Sequence, residues 1–521
     1  MKLNETSVEW AKKHLEKEGD TDLFPKPFEI EAIISNWDMV KDYLLNLEVR
    51  AHKWGGMRRL LIPKGEYMFR VACQLDPLDT LVLTALIHEY GDLIEKNRVP
   101  VNEEVVFSYR FKPKSDGSLY DNNINWNTFW RTSLERAEEH PNGYVVMTDV
   151  VDYYNQIYHH TLENELLKAG VPKEVVKSIL NLCKNFTQGV SRGIPVGPHA
   201  THLLAEVAFN PIDHSLLTRG YEYCRFVDDI HIFCNSWEKA EIAIYDLSDI
   251  LDKQQRLVIQ SHKTRIVPVS EFIEIAEQMM IDSPINETEK EILEVIRKHS
   301  HGDPYRTIRL SELKPADLKL LNQQNIESLL ESYLNQPNPN FPRIRWFLRR
   351  LAQVGVPSAI PYIIKNINRF IPAIGDICTY FISAEKTYKG SWQDIGKSLI
   401  SSLEFEIVKH SEYLQMTLIN LFSKIIDLDH IDAILQKYNG ASPIIRRKII
   451  KVATKAGKYY WLRERKTEFS TSDPWLRRAL ILGASTFPED ERQYWLRHIK
   501  KSGCSFLEEV VIEWVKSGNT I

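Results

Sequence analysis

Two adjacent aspartates interrupt an apolar run of the sequence. Asp228 and Asp229 stand within CRFVDDIHIFCN, residues 224–235, whose other members are mostly apolar or favour strands. Segments 222–227 and 230–234 predict the two strands of a β-hairpin, with the aspartates as its two-residue turn. A plain structural turn is the alternative interpretation, because aspartate is common in turns. Carboxylates beside an apolar surface need a cation, so the flanks favour a metal site.

A third aspartate, Asp149, follows the apolar segment YVVMT at residues 144–148. That segment predicts a strand ending at Asp149. Carboxylates converging from a strand end and a hairpin turn would form an all-oxygen site, which suits Mg²⁺. In two-metal phosphoryl transfer the ions lie about 4 Å apart, one activating the attacking hydroxyl and one supporting the leaving group. The three aspartates therefore indicate phosphoryl transfer.

The loop RGIPVGP, residues 192–198, lies between these acidic segments and leads into an apolar helix. Its glycines and prolines predict an irregular turn, and small residues allow a ligand to approach the backbone closely. Alone, such a loop is only weakly specific for nucleotide binding.

The elements around these residues indicate an ordinary globular protein. The chain has 521 residues, is 43% hydrophobic and 26% charged, and carries a net charge of -4, which excludes a uniformly basic nucleic-acid coat. Six cysteines without CxxC spacing predict free buried thiols and a reducing compartment. No apolar run is long enough for a signal peptide or a membrane span, so we expect a cytoplasmic protein.

Two domains are predicted from the change in pattern along the chain. Residues 1–270 mix helical patterns with short strand-like runs, which indicates an α+β domain, whereas residues 271–521 read as all-α. Proline and asparagine at 335–342 interrupt the helical pattern. Helix pairs such as 428–438 with 442–457 resemble HEAT-like repeats, although no sequence-identical period exists and an irregular helical bundle is the alternative.

Four motifs in order resemble the palm motifs A to D of reverse transcriptases. They are the strand ending in Asp149, the 192–198 loop, the Asp228-Asp229 hairpin and Lys263 in QSHKTRIVP. The segment RRLLIPKGEYMFRVACQLDPLDTLVLTAL resembles the fingers of the same family. VVDYYNQI, SYRF and the long helical second half are most similar to the abortive-infection reverse transcriptases, of the AbiK-like, prophage-borne type. The resemblance implies a fingers-palm domain followed by an all-α, HEAT-like helical-repeat domain.

This resemblance also implies a set of site residues. Two Mg²⁺ ions, with Mn²⁺ as the alternative, would be held by Asp149, Val150, Asp228 and Asp229. Lys263 would assist the departing pyrophosphate, with a solvated surface lysine as the alternative. Nucleotide contacts would come from Lys64, Arg70, Asp152, Tyr154 and Gly197. Tyr154 matches the steric-gate position, where an aromatic ring excludes a ribose 2′-OH and favours dNTPs.

Two positions depart from the family pattern. Phe226 replaces the usual tyrosine before the aspartates, and Val196 stands where templated enzymes often carry glutamine, which places templated synthesis in doubt. The abortive-infection subgroup implies phage defence, template-independent synthesis and priming on a tyrosine, so that single-stranded DNA stays covalently attached. Tyr43 is our candidate primer. The subgroup also implies a closed homo-oligomer, a trimer or hexamer.

The segment 445–466 carries nine Lys and Arg residues against one Glu. Basic and aromatic side chains together suit a single-stranded DNA groove, although a solvated helix face over core aromatics is an equal alternative. The candidate groove residues are Arg446, Arg447, Lys451, Tyr459 and Trp461. Two rival functions stay open: a templated RNA-directed DNA polymerase that works with a structured RNA, and a catalytically silent palm whose helical repeats bind partners.

Overall fold

The computed structural model describes residues 1–280, 284–300 and 306–521. Its internal contacts divide the chain into two units. The first unit comprises Met1–Arg59 and Ala72–Ser283, and the second comprises Leu60–Val71 and Pro284–Ile521. The domain boundary that we placed after residue 270 stays a prediction.

The first unit contains a small sheet among helices. Its helices are α1 (Glu5–Glu18), α2 (Glu29–Ser35), α3 (Trp37–Asn46), α4 (Pro77–Asn97), α5 (Trp126–Glu138), α6 (Tyr153–Gln156), α7 (His159–Lys168), α8 (Lys173–Phe186), α9 (Thr201–Thr218), α10 (Trp237–Gln255) and α11 (Val269–Met280). The strands are β1 (Arg58–Pro63), β2 (Phe69–Gln74), β3 (Tyr144–Asp149), β4 (Glu222–Phe226), β5 (Asp229–Cys234) and β6 (Arg265–Pro268). β1 and β2 pair as a hairpin whose outer part, Leu60–Val71, belongs to the second unit.

A four-stranded sheet in the order β4-β5-β3-β6 positions the acidic residues. β3 lies between β5 and β6 and is antiparallel to both. Its register places Asp149 opposite Asp229 and Val145 opposite Phe233. The predicted strand ending at Asp149 is confirmed, because the apolar residues of β3 can be buried in the middle of the sheet.

The hairpin turn differs by one residue from our prediction. β4 ends at Phe226 and β5 begins at Asp229, so the turn is Val227-Asp228 rather than Asp228-Asp229. Asp229 is a strand residue that pairs with both Phe226 and Asp149. Residue preference favours aspartate over valine in a turn, but here the pairing of Asp229 across two strands overrides it.

An aromatic core packs beneath the sheet. Phe129 and Trp130 of α5 and Phe272 of α11 lie in the same buried cluster as Cys224 and Phe233 of the hairpin. The six cysteines are free thiols, as predicted, and all except Cys504 are buried. Because large rigid side chains fill this layer, the hairpin that carries the aspartates rests on a closely packed base.

The second unit is helical where it is described after residue 283. Its helices are α12 (Glu287–Ser300), α13 (Pro315–Leu320), α14 (Gln323–Leu334), α15 (Phe341–Val354), α16 (Ile360–Lys365), α17 (Ile374–Ala384), α18 (Trp392–Ser402), α19 (Glu406–His410), α20 (Glu412–Phe422), α21 (Ile431–Gln436), α22 (Pro443–Lys455), α23 (Tyr459–Glu464), α24 (Pro474–Gly483), α25 (Glu489–Lys501) and α26 (Phe506–Lys516). Residues 284–300 and 306–521 contain no strand. The HEAT-like character of these helices stays a prediction.

No helix within residues 1–280, 284–300 and 306–521 is both long enough and apolar enough to span a bilayer.

Candidate active site

The three predicted aspartates lie at one end of the four-stranded sheet. Asp149 is the last residue of β3 and Asp229 is the first of β5, and the two are paired across the strands. The backbone N–H of Val150 donates to the carbonyl oxygen of Asp228 at 3.2 Å, which ties the turn to the residue after β3. Asp149 is buried with only 6% of its surface exposed. Sheet register therefore brings together acidic residues that are about eighty positions apart in sequence.

Lys263 is the cation nearest to this acidic group among the predicted residues. It ends a short 3₁₀ turn, Ser261–Lys263, just before β6, and its ammonium group donates to Oδ2 of Asp149. Beside this pair, the hydroxyls of Thr148 and Thr264 lie 2.7 Å apart and join β3 to the start of β6. Lys263 thus supplies the counter-charge that the buried Asp149 carboxylate needs.

The electrostatics of the site follow from burial and from close like charges. Burial, together with the neighbouring charges of Asp149 and Asp229, raises the pKa of Asp228 to about 7. Burial by itself lowers the pKa of Lys263, but its hydrogen bond to Asp149 and the other two carboxylates outweigh burial, so the pKa is raised. The cluster of Asp149, Asp228 and Asp229 would therefore be stabilised by additional positive charge.

The aspartates fit a divalent cation only in part. Oδ1 of Asp149 is buried and, among the described residues, has no hydrogen-bond donor. Across the described ranges, no group of three or more His, Cys, Asp or Glu side chains is arranged to hold a metal ion. The contact between the Asp149 and Asp228 carboxylates is the part of the predicted ligand set that fits, since hard oxygen donors suit such ions. Val150 and Asp229 adjoin that pair in the backbone and the sheet.

Tyr154 of α6, the predicted steric gate, forms a hydrogen bond with a histidine through its hydroxyl. Its hydroxyl is 2.7 Å from Nδ1 of His202 in α9, and the His202 ring stacks on Tyr109 at 4.0 Å between centroids. Burial lowers the pKa of His202 to about 3 and raises that of Tyr154 well above its ordinary value. The neutral imidazole therefore fixes the tyrosine ring. Sequence analysis named no role for His202 in the site.

The glycine loop approaches the strand β2 closely. The carbonyl oxygen of Val196 accepts a hydrogen bond from the N–H of Cys73 at 2.7 Å. Gly197 has a φ of +132°, and a Cβ there would lie 2.6 Å from the carbonyl oxygen of Cys73. Glycine is therefore required by both conformation and space. Asp152, next to the predicted gate, is exposed, has a φ of +49° and accepts a hydrogen bond from Asn155.

Lys64 and Arg70 belong to the hairpin segment that forms part of the second unit. Within that unit, Arg345 of α15 donates to the backbone carbonyls of Pro63 at 2.6 Å and Lys64 at 3.2 Å. These bonds are made to the backbone of the hairpin, and the Lys64 side chain takes no part in them. Triphosphate binding by Lys64 and Arg70 stays a prediction.

The C-terminal basic segment is less open to solvent than its charge suggests. Arg447 and Lys451 of α22 are buried, with 1% and 4% of their surfaces exposed, and Arg447 donates to the carbonyl oxygen of Trp475. The other candidates make internal contacts as well: Arg446 lies over the Tyr438 ring, Tyr459 donates to Glu491, and Trp461 lies beneath Arg465. Their predicted role in binding nucleic acid is untested, and burial disfavours it for Arg447 and Lys451.

Sequence analysis missed a set of buried charged and polar side chains beside the hairpin turn. Its members are Arg98, Ser108, Glu206, Asp213 and Arg225. They come from four separate segments, and only Glu206 and Asp213, both on α9, are close in sequence. Ser108 stands in the SYRF segment, whose resemblance carried no residue role. An arginine at an inward position of an apolar strand was the one available signal, because a buried charge requires partners.

Comparison with known proteins agrees with this geometry for one part of the chain. Residues 97–285 match the family model described as reverse transcriptase (RNA-dependent DNA polymerase). The matched range contains Asp149, Asp228, Asp229 and Lys263. The predicted resemblance to reverse transcriptases is therefore confirmed for this range. The chain is an enzyme, a nucleotidyltransferase of the reverse-transcriptase DNA polymerase type. Such domains use divalent metal ions, and a polymerase acts on nucleotides.

Two solved structures are similar in part. A telomerase from Candida albicans, in complex with a fragment of telomeric RNA, has 13% sequence identity and a TM-score of 0.31, with 75% of this chain and 71% of that chain covered. An apo telomerase from Candida tropicalis has 12% identity and a TM-score of 0.34, with 74% and 73% covered. A search of curated proteins found no match.

Proposed function

We propose that this protein extends a hydroxyl primer with dNTPs, using the β3-β5 end of the sheet as its polymerase site. The observation that carries the proposal is the contact between the carboxylates of Asp149 and Asp228, within the range that matches reverse transcriptases. Paired carboxylates are what phosphoryl transfer from a triphosphate requires. The raised pKa of Asp228 supports a site that accepts cationic charge.

Each residue of the site would have a distinct role in the reaction. Asp149 and Asp228, with Asp229 and the Val150 backbone beside them, would hold two Mg²⁺ ions. When bound, such ions activate the attacking hydroxyl and stabilise the leaving pyrophosphate. Lys263 would donate a proton to that pyrophosphate, and Tyr154 would exclude nucleotides that carry a 2′-OH. The backbone at Gly197 would let the nucleotide approach closely.

We further propose that synthesis is template-independent, primed by a tyrosine hydroxyl and used in abortive-infection defence against phage in the cytoplasm. The similarity of VVDYYNQI and SYRF to that subgroup supports this, as does Val196, which offers no polar contact to a template base. Single-stranded DNA would stay covalently attached to the protein. HEAT-like helices of the second unit and a trimeric or hexameric assembly belong to the same proposal. Tyr43, half-buried in α3, is the candidate primer.

Templated, RNA-directed synthesis is the second candidate. It is favoured by the description of the matching family, which names an RNA-dependent DNA polymerase. The two candidates differ in whether product sequence copies an added strand, so a single set of incubations separates them.

The test incubates purified protein with Mg²⁺ and dNTPs alone, followed by denaturing electrophoresis with and without DNase. We expect a DNase-sensitive shift of the protein band, lost in Asp228→Asn and kept in the control Asp252→Asn, since Asp252 is an exposed carboxylate on α10. A shift that also disappears in Tyr43→Phe would assign the primer. Product that forms only with an added RNA template and primer would support the second candidate. No synthesis under either condition would contradict both.

A further inference from the structure

Val227, the first residue of the hairpin turn, has an unfavourable backbone conformation. Its φ is +57°, in the left-handed region that β-branched residues rarely enter. Glycine, asparagine and aspartate adopt this region far more readily, and Asp228 is the next residue. Such strain persists only where surrounding contacts over-determine the conformation, and it gathers at functional sites. Specific contacts must therefore hold Val227 in place.

Two buried side chains form hydrogen bonds with the backbone N–H and the carbonyl oxygen of Val227. Its N–H donates to Oγ of Ser108 at 2.8 Å, and its carbonyl oxygen accepts from Nη1 of Arg225 at 2.7 Å. Both side chains have no exposed surface. The residue is thus clamped on both sides of its Cα, which determines the path of the chain into Asp228.

The two clamping side chains are themselves fixed by buried carboxylates. Ser108 donates its hydroxyl proton to Oε1 of Glu206 at 2.6 Å, and Arg225 lies 3.1 Å from Oε2 of the same carboxylate. Arg225 also makes a two-point contact with Asp213, at 2.9 Å and 2.6 Å. Arg98 donates to Glu206 at 2.8 Å. Two arginines and two carboxylates are therefore joined in one network beneath the turn.

The network contacts the turn that leads into Asp228. Its members lie under β4 and α9, and the Arg225 guanidinium stacks over the ring of Phe209 at 4.2 Å. The turn in turn places the carbonyl oxygen of Asp228 against the N–H of Val150. A change at Ser108 would therefore be transmitted to Asp228 as a shift in position rather than as a change in the local charge.

From this geometry we propose that Ser108 and Arg225 are positioning residues, which hold the strained Val227-Asp228 turn so that the Asp228 carboxylate meets Asp149. This inference rests on the proposed polymerase function of that site. Neither residue touches substrate in this scheme. Their effect is on how often the turn adopts the working conformation, since a displacement of about 1 Å at a reacting group can lower a rate about a hundredfold.

The first test compares Ser108→Ala with Ser133→Ala in the full-length protein. Ser133 is also fully buried and also bonds to the hairpin, at Nδ1 of His231, but lies away from the turn. We expect Ser108→Ala to lower kcat about 10- to 100-fold with little change in KM for dNTP, which is the pattern for lost positioning. Ser133→Ala should retain kcat within about threefold. Hydrogen exchange of a peptide that spans Val227 should become faster only in Ser108→Ala.

The second test asks whether strain at Val227 is the reason for the clamp. Val227→Asn introduces a residue that adopts the left-handed region more readily. If the clamp compensates for strain, Ser108→Ala should lower kcat less than about threefold in the Val227→Asn background, a non-additive double-mutant cycle. An equal loss in both backgrounds would overturn the proposal, as would equal kcat values for Ser108→Ala and Ser133→Ala.

Failure of this inference differs from failure of the proposed function. If wild-type protein polymerises and Asp228→Asn abolishes synthesis, the function holds, and the Ser108 comparison then decides the inference. If wild-type protein does not polymerise with or without template, the function fails. Hydrogen exchange at Val227 would then still report whether Ser108 holds the turn, because it requires no activity.

Discussion

Replacement of Arg225 by methionine should strongly destabilise the first unit. The guanidinium has no exposed surface and donates to Asp213, to Glu206 and to the carbonyl oxygen of Val227. Methionine has a similar length and no charge. It would leave the buried Asp213 carboxylate without its arginine partner, Glu206 with Arg98 as its remaining arginine, and one backbone carbonyl without its donor.

The magnitude follows from burial rather than from the number of bonds. Removing one partner of a buried ion pair costs about 3–5 kcal/mol, because the other charge stays desolvated. In a unit of this size, each kcal/mol lowers Tm by about 2–4 °C. We therefore expect Arg225→Met to lower the Tm of the first unit by about 6–20 °C.

Calorimetric unfolding of the full-length protein measures this change. The matched control is Arg219→Met, since Arg219 forms an ion pair with Asp246 at 2.6 Å but its side chain is 38% exposed. Solvent screens that pair, so its loss should cost less than about 1 kcal/mol. Equal losses of Tm in Arg225→Met and Arg219→Met would refute the reasoning, because the buried network would then add nothing beyond a surface pair.

Three further predictions concern the remaining site residues. Lys263→Met should lower kcat about 10- to 100-fold in steady-state kinetics, as expected for loss of a proton donor, whereas Lys253→Met, at an exposed lysine of α10, should not. Gly197→Ala should lower Tm more than Gly220→Ala, because both glycines have positive φ but only Gly197 has a backbone atom 2.6 Å from the added Cβ. Equal values would contradict the close approach. Burial, aided by Arg265, lowers the pKa of His231 to about 3. The folded protein therefore keeps this imidazole neutral at a pH where the unfolded chain, with a pKa near 6.5, is protonated. The resulting stability is fully present above pH 6.5 and is lost as the pH falls toward 3. Relative to neutral pH, wild-type protein should lose about 1.4 kcal/mol of unfolding free energy at pH 5.5 through this group, and His231→Phe should abolish that share in denaturant titrations.

Local patterns were sufficient to predict the strands that carry the aspartates. The apolar run before Asp149 predicts β3, and the two runs around Asp228 predict a hairpin, because each strand buries side chains in one layer. The helical pattern of residues 271–521 also predicted the helices observed at 284–300 and 306–521. These features depend on residues that are close together in the sequence, so local sequence patterns are enough to predict them.

Contacts between distant segments explain what the sequence could not predict. The one-residue shift of the turn places Val227 where local preference would put aspartate, and it is held by Ser108, more than a hundred positions earlier. Arg447 was expected to face solvent because of its charge. It is instead buried against the Trp475 carbonyl, supplied by the next layer of helices. A charged residue type alone does not indicate whether a later segment will cover it.

The candidate site therefore depends on two kinds of constraint that act on the same aspartates. Sheet register places Asp149 opposite Asp229, a relation set by the apolar periodicity of β3 and β5. The position of Asp228 is set differently, by a strained turn whose peptide groups are gripped by Ser108 and Arg225. Because like carboxylates repel, bringing Asp228 to Asp149 requires support, and in our proposal Arg225, held by Glu206 and Asp213, provides part of it. The order of motifs along a chain can thus indicate the chemistry of such a site, whereas the contact of Ser108 with the turn joins segments more than a hundred positions apart.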